Sequence, residues 1–556
     1  MKRLWLSSIN DDFDPQNDIL MGPWCLIGNE YRNHNWDDLE SVPDPFKNAD
    51  EIAYHAKLTT EFAESFLDDL TVHLNEINNT EYNRKFWRIL VFPWLLTLVQ
   101  TTWDRQLRVN QLLKKYSGEE IEIELLKDNI FWGFEDTLDH QVRGVLKHSY
   151  NHWLFSRLLE QKIPSNWKVY WISSVPYDQQ PVIKKVTLKR KLILWYSNKF
   201  LSFTVVGVGI IEGLFFELFI KIKGLFLSYY SDKIDAKPKT VELNWNLNWK
   251  ELVESTLPLY YKNIKNISRK RIIGKKLHLI GAFPMYNERI KLKLARSIEA
   301  GAKIIINQHG GSYGTSKILS FASSVEYVHH KFLSWGWKDH EDYLVDSTPV
   351  PSPLLSKYKY KNDTDEIIFV STRLKPYKLR ISLHQPREII DYRNSQINFL
   401  NNIDNQIFKN LLFRLFPVEK EIRKEKKLLK IMFPTLKFLD GKLHEKTMKC
   451  KLLIIDHPDT TLNIAMAANI PTVCFWDNNT WPTSRQAEPY FQAMRDASIL
   501  IDNSKGAAEK VNEIWGDVMG WWEQPHIQKA REEWCWQYAR TSKHWRWEWI
   551  KAIWSL

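Results

Sequence analysis

From residue 275 the chain reads KKLHLIGAF, an apolar strand. Residues 287–302, NERIKLKLARSIEAGA, carry apolar positions at three- and four-residue spacing, and KIIINQ (303–308) is a second strand. A strand, a helix and a strand in so short a span close as a right-handed crossover between parallel neighbours. Parallel sheets are covered by helices on both faces, so this unit commits its region to a doubly wound α/β fold. The alternation returns further on. DEIIFVSTR (365–373) leads through a helical region near 398–414 to FRLFP (413–417). KCKLLIIDHP (449–458) then precedes a helix, TTLNIAMAANI (460–470), and a strand, PTVCFW (471–476). Between the two runs, 345–363 is VDSTPVPSPLLSKYKYKND, with Pro349, Pro351 and Pro353 two residues apart. That stretch reads as a linker.

The expected organisation is two Rossmann-like domains facing across a cleft, a division that suits a chain of 556 residues. Residues 1–345 form the first, with helical insertions; 346–364 are the linker; 365–515 form the second; and the Trp-rich 516–556 are a terminal helix crossing back to the first. A strand Arg3–Ser7 opens the chain, and long helical patterns run from Asp50 to Ile77 and from Tyr82 to Tyr116. Apolar content of 44% with 26% charged residues fits a globular chain, not a disordered one. The net charge of +11 suits anionic partners such as nucleotide-activated substrates or an acidic membrane face. Nucleic acid is not expected: there is no zinc-finger spacing, RNP motif or basic arm. Four scattered cysteines without a CxxC pair point to a reducing compartment. The N-terminus is too poor in apolar residues for a signal peptide, so a cytoplasmic location is expected. Residues 201–220, LSFTVVGVGIIEGLFFELFI, are apolar, but Glu212 and Glu217 argue for a buried or interfacial helix, not a span.

Ligands of open α/β sheets bind beyond the carboxyl ends of strands, so motifs there carry most weight. Asn307-Gln308-His309-Gly310-Gly311-Ser312-Tyr313-Gly314 follows one strand directly. Gly310 and Gly311 admit close approach of a substrate, His309 can accept a proton near neutral pH, and Lys317 adds a charge for phosphate. The same string matches GxSxG with Ser312 as a nucleophile, which leaves a serine hydrolase open. Asp456-His457-Pro458-Asp459-Thr460-Thr461-Leu462-Asn463 runs off another strand into a helix. Thr460 or Thr461 would cap it, and its N-terminus is an anion site. Arg373 and Lys375 end the first strand of the second half, and Arg414 lies in FRLFP; all three are candidate phosphate ligands. The N-terminal loop offers Trp24 for sugar stacking and Asp14 as an acidic base. Neither DxD string ends a strand suitably for holding a metal against a diphosphate, and no P-loop or HExxH occurs. No metal or other cofactor is expected.

The strings NQHGGSYGTSK and IIDHPDTTLNIAMAANIPTVCFWD, with the opening LMGPWCLIG, together resemble a family of transferases from bacterial surface-polysaccharide gene clusters. The resemblance spans nearly the whole chain and implies a GT-B glycosyltransferase. More distantly, the His-Gly loop with its downstream lysine is similar to that of teichoic-acid polyol-phosphate polymerases. His309-Gly310 and Asp456 with Thr460-Thr461 stand in comparable places. The His457-Pro458 pair resembles the one that holds CMP in ulosonic- and sialic-acid transferases. Asn463 replaces the acidic residue with which many GT-B enzymes grip ribose. These resemblances imply a transferase using a CMP-activated ulosonic acid such as Kdo or a sialic-like sugar, with a glycan or lipid-linked glycan acceptor. Inversion at the anomeric carbon, independence of metal and peripheral contact with the inner membrane are further expectations. A CDP-polyol phosphate transferase and a non-catalytic sugar-binding protein of the same fold are the other readings.

Overall fold

The computed structural model describes residues 1–26, 36–127, 130–174, 203–226, 240–267, 277–373, 375, 377–382, 388–417 and 419–555. Among them fifteen strands pair in three sheets, and every ladder is parallel. β1 (Lys2–Trp5), β2 (Ile19–Leu20), β3 (Ile121–Leu126) and β4 (Lys168–Ile172) form the first, in the order β2-β1-β3-β4. β5 (Phe203–Thr204), β6 (Leu277–Ile280), β7 (Lys303–Asn307), β8 (Lys331–Ser334) and β9 (Ser347–Pro349) follow one another in the second. The third comprises β10 (Ile367–Val370), β11 (Leu411–Arg414), β12 (Lys437–Phe438), β13 (Leu452–Ile455), β14 (Thr472–Phe475) and β15 (Leu500–Ile501). Its order, β12-β11-β10-β13-β14-β15, reverses direction between β10 and β13, and that reversal opens a crevice at their carboxyl ends.

The crossover read from residues 275–308 is present: β6, a helix Glu288–Glu299 and β7, with Leu277 opposite Lys303. Two expectations need correction. The first half holds two parallel sheets, not one, because β1 pairs with β2 and β3 and leaves β5–β9 to close among themselves. The linker also contributes structure, since β9 is the edge strand beside β8; its Pro349 is tolerated there because an edge residue has no second neighbour to serve.

Two helices join the sheets of the first half. α1 (Ala49–Asn78) is capped by Asn48, whose side chain accepts from the amides of Asp50 and Glu51. α2 (Arg84–Tyr116) is buried over most of its length, and its buried charges Arg88, Asp104, Arg105 and Arg108 are all paired. Arg88 meets Glu64, and Arg108 meets Asp44 at 2.7 Å and Asp104 at 3.1 Å. The tail, expected as one helix, is three: Val518–Trp522, Pro525–Tyr538 and Trp545–Trp554. The middle one packs on the helix Thr460–Ala468, and the last joins the second sheet through Trp549, whose indole donates to the Pro351 carbonyl at 2.8 Å.

Of the apolar run 201–220, residues 201 and 202 lie outside the described residues. The rest starts with β5 and runs into a helix, Ile210–Leu225. Among the described residues no helix is long and apolar enough to cross a membrane.

Candidate functional site

The crevice at the switch point of the third sheet is a cavity of about 690 Å³. Its walls come from four strand ends. Ser371 and Thr372 follow β10, Arg414 ends β11 and Leu415–Pro417 follow it, Gly441–Glu445 follow β12, and His457 with Asp459–Thr461 follow β13. Tyr358, from the stretch read as a linker, closes one side. Asp456 is buried and orients His457. The His457 Nδ1–H donates to Asp456 Oδ1 at 2.8 Å, while the Gln396 amide donates to Oδ2 at 2.7 Å. His457 Nε2 is thereby the ring nitrogen left for a ligand. His444 lies tilted against Tyr358, ring centroids 5.1 Å apart, and burial together with the nearby Arg414 lowers its pKa. Lys442, paired with Glu445 at 2.5 Å, stands at the rim.

The helix beginning at Thr460 is capped by Asp459, not by a threonine: Asp459 Oδ1 accepts from the Thr460 amide at 2.7 Å. This carboxylate also reaches the other half. It accepts from the Gly311 amide at 3.3 Å and the Ser312 hydroxyl at 3.4 Å, and Gly311 N–H also lies 3.1 Å from Thr460 Oγ1. The His-Gly loop is thus pressed directly on the edge of the cavity. Gly311 is required there, because a Cβ would stand 2.3 Å from the Asp459 carbonyl carbon. On the loop's far side Ser484 N–H donates to the Thr315 carbonyl at 2.8 Å, and Ser316 bridges to Thr483.

The family follows from the sequence that builds this arrangement: the model of the LIC12162 family transferase matches residues 2–553. The chain belongs to that family. No curated protein matches it. Among solved structures it is similar to TarM, with 13% identity over 48% of this chain and 53% of that one, at a TM-score of 0.31. MurG of Acinetobacter baumannii is 11% identical over 84% of this chain and 96% of that one, at 0.29. WaaG, a glycosyltransferase involved in lipopolysaccharide biosynthesis, is 12% identical over 63% and 97%, at 0.25. The chain spans about half the length of TarM.

In this transferase His309 is backed by Tyr313 of its own loop and by Glu326, which no motif marks. The Tyr313 hydroxyl lies 3.1 Å from His309 Nδ1 and donates to Glu326 Oε2 at 2.5 Å. Burial and the adjoining Glu326 carboxylate push the Tyr313 phenol well above its ordinary value, so it stays a donor to Glu326. Glu326 is itself buried and also accepts from the Phe283 amide at 3.2 Å. His309 remains partly exposed, with Glu326 Oε1 3.9 Å from its Nδ1. The imidazole is held by its environment yet open to a substrate, as proton transfer requires.

Several predicted site residues lie elsewhere. Trp24 is buried, stacked on Phe155 and tilted against Tyr377, and its indole donates to the Leu6 carbonyl at 3.0 Å; it offers no face to a sugar. Asp14 is exposed and accepts from Asn17 Nδ2 and the Gln16 amide, which lower its pKa and make it a poorer base. Lys317 pairs with Asp50 of α1 instead of facing the cavity. Asn463 is buried and accepts from the Trp534 indole at 3.0 Å, tying the helix to the tail and not to a ribose. Arg373, Lys375 and Pro458 follow their strands without lining the cavity. Arg414, His457, Thr460 and Thr461 do line it, and Arg414 also donates to the Leu439 carbonyl at 2.9 Å. Ser312 is no nucleophile elbow. The chain after β7 stays irregular through residue 319, and the hydroxyl meets Asp459 instead of a histidine. Among the described residues no three His, Cys, Asp or Glu side chains gather to hold a metal ion.

Proposed function

We propose that this transferase is a glycosyltransferase of the two-domain GT-B kind, moving a sugar from a nucleotide-activated donor to a glycan hydroxyl. The observation that carries the reading is the contact of Gly311 with Asp459 and Thr460, which sets His309 of one half beside the strand-end cavity of the other. The nucleotide occupies the cavity. The Asp459 carboxylate repels phosphate from the Thr460 side, so phosphate sits toward Thr461, Arg414 and His457. His309 takes the proton from the acceptor hydroxyl. Its oxygen then bonds the anomeric carbon while the bond to the donor phosphate breaks, and the electron pair leaves with the nucleotide. Arg414, Lys442 and the helix N-terminus meet the charge developing on that leaving group, with no metal required.

The donor we favour is a CMP-activated ulosonic acid of the Kdo or sialic type, added to a bacterial surface polysaccharide. Support comes from His457 in the cavity wall and from Asn463, turned into the protein, which leaves that helix without a ribose-gripping acid. A melting panel with CMP, CDP, UDP and GDP tests it, since a ligand binding only the native state raises the melting temperature. CMP should give the largest rise. A larger rise with UDP or GDP would overturn the donor, and transfer from CDP-glycerol would move the assignment to polyol-phosphate transfer.

A further inference from the structure

The helix Ile210–Leu225 has two unlike faces. Phe216 and Ile220 are buried with Trp545, Trp549 and Ile553 of the last helix and with Leu277, Leu279 and Ile305 of the second sheet. The opposite face is apolar too, but open. Ile211 is 84% exposed, Leu218 60% and Leu225 71%, and Leu214, Phe215 and Ile222 fall between them at helical spacing. Soluble surfaces scatter such residues singly; a continuous stripe marks a surface that something covers.

The neighbouring helix says what kind of partner covers it. Trp545–Trp554 runs alongside in the same direction, with Arg546 paired to Glu212 and Trp554 against Phe219 and Phe226. Its buried face is Trp545, Trp549 and Ile553, so Trp547, Lys551 and Trp554 point outward. Each exposed indole carries a lysine: Lys551 lies 5.6 Å from the Trp547 ring and Lys223 lies 5.3 Å from that of Trp554. Exposed tryptophans with lysines at the margin of an apolar stripe match the headgroup zone of a bilayer. Residues 540–555 hold Arg540, Lys543, Arg546 and Lys551 against Glu548, three positive charges in excess. Glu212 and Glu217 on the apolar helix are matched by Lys221 and Lys223. The surplus selects an anionic surface, at about 1 kcal/mol per basic residue near it.

We infer that this face seats the protein on the surface of an anionic phospholipid bilayer, independently of the donor and acceptor proposed above. The helix lies in the interface and does not cross. Its sixteen residues span about 24 Å, short of the ~30 Å hydrocarbon core, and its inner face is committed to the second sheet.

The test uses the full chain and two vesicle preparations, phosphatidylcholine alone and phosphatidylcholine with equal phosphatidylglycerol. The wild type should sediment with the anionic vesicles, blue-shift its tryptophan emission, and be released by salt. Ile211→Glu with Leu218→Glu should weaken binding by at least roughly tenfold at unchanged melting temperature. Lys551→Glu should weaken binding to the anionic vesicles only. Should the double variant melt early, Leu225→Glu alone gives the same reading. A wild type that stays in the supernatant, or variants that bind as well as it does, overturns the inference. So does a solution dimer that the double variant dissociates, which would assign the face to a second copy.

Discussion

Gly310 and Gly311 are adjacent and equally small, yet they should respond very unequally to the same methyl group. At Gly311 an added Cβ meets three backbone atoms: the Asp459 carbonyl carbon at 2.3 Å, the Thr460 nitrogen at 2.4 Å and the Asp459 oxygen at 2.7 Å. Relief to ordinary contact requires a separation of about 1 Å. The loop cannot simply swing away, because Ser484 and Pro482 hold its far side through Thr315, Gly314 and Lys317. Overpacking of this kind costs about 1–3 kcal/mol. Losing the Gly311 N–H bonds to Asp459 and Thr460 adds about 1 kcal/mol or more, since one acceptor is charged. Gly311→Ala should therefore cost about 2–4 kcal/mol and misplace His309 against the cavity, with turnover falling more steeply than stability. At Gly310 the same Cβ would meet Thr460 Oγ1 at 3.5 Å and Tyr313 Cε2 at 3.8 Å, ordinary contacts. Gly310→Ala should stay within about 0.5 kcal/mol of the parent. Denaturant titration of both variants, with donor turnover measured in parallel, decides the matter. If Gly311→Ala unfolds and turns over like the parent, or if the two variants are equally damaged, the contact between the halves is not the one described.

His309→Ala should lower turnover by about 10²-fold or more while leaving the melting temperature unchanged, because the ring is partly exposed and its loss opens no core; calorimetry and a transfer assay check both. Arg414→Ala should weaken nucleotide binding roughly ten- to hundredfold by titration calorimetry, and Arg373→Ala much less, since only Arg414 lines the cavity; the reverse order would relocate the phosphate. Transfer should survive EDTA, and a loss restored by Mg²⁺ or Mn²⁺ would refute the metal-independent reading. Burial lowers His140 and His329 to about 3 and His152 to about 4. Below pH 6.5 the unfolded chain takes up protons that these folded imidazoles refuse, so stability should fall on acidification by up to about 1.4 kcal/mol per pH unit for each. Melting curves from pH 6.5 to 5 measure that slope, which His329→Gln should flatten; a melting temperature constant over that window would refute it.

What the sequence made legible was local. The crossover over 275–308, the two long helices and the alternation after residue 364 are periodic patterns, and periodicity survives folding because it records which face each element buries. Arg414, His457, Thr460 and Thr461 were legible for the same reason, since a strand running into a polar turn fixes where those side chains emerge. The errors came from partners distant in the chain. Lys317 meets Asp50 across 267 positions, and Asn463 meets Trp534 across 71. Nothing near either residue encodes those meetings. Lys442, His444 and Tyr358 were missed because they reach the cavity from the start of a five-residue helix after the short β12 and from a stretch read as a linker, where no pattern marks them.

The position of His309 depends on the second half as much as on its own strand. Beyond the His-Gly loop, the segment Tyr377–Ser382 inserts among the helices of the first half. Thr101 donates to the Leu379 carbonyl at 3.3 Å, Arg105 to that of Lys378 at 3.3 Å, and Ser320 to that of Ile381 at 3.2 Å, while the Tyr377 hydroxyl lies 2.9 Å from His148 Nδ1. The tail supplies a third tie, bonded to the helix Thr460–Ala468 through Trp534 and to the first half through Arg540 and Trp549. Three ties at separate places resist relative rotation far more than a single hinge does, because each would have to break buried hydrogen bonds at once. The cavity is consequently assembled before any ligand arrives. A site assembled in advance does not use binding energy to bring its halves together, so more of that energy can act on the transition state.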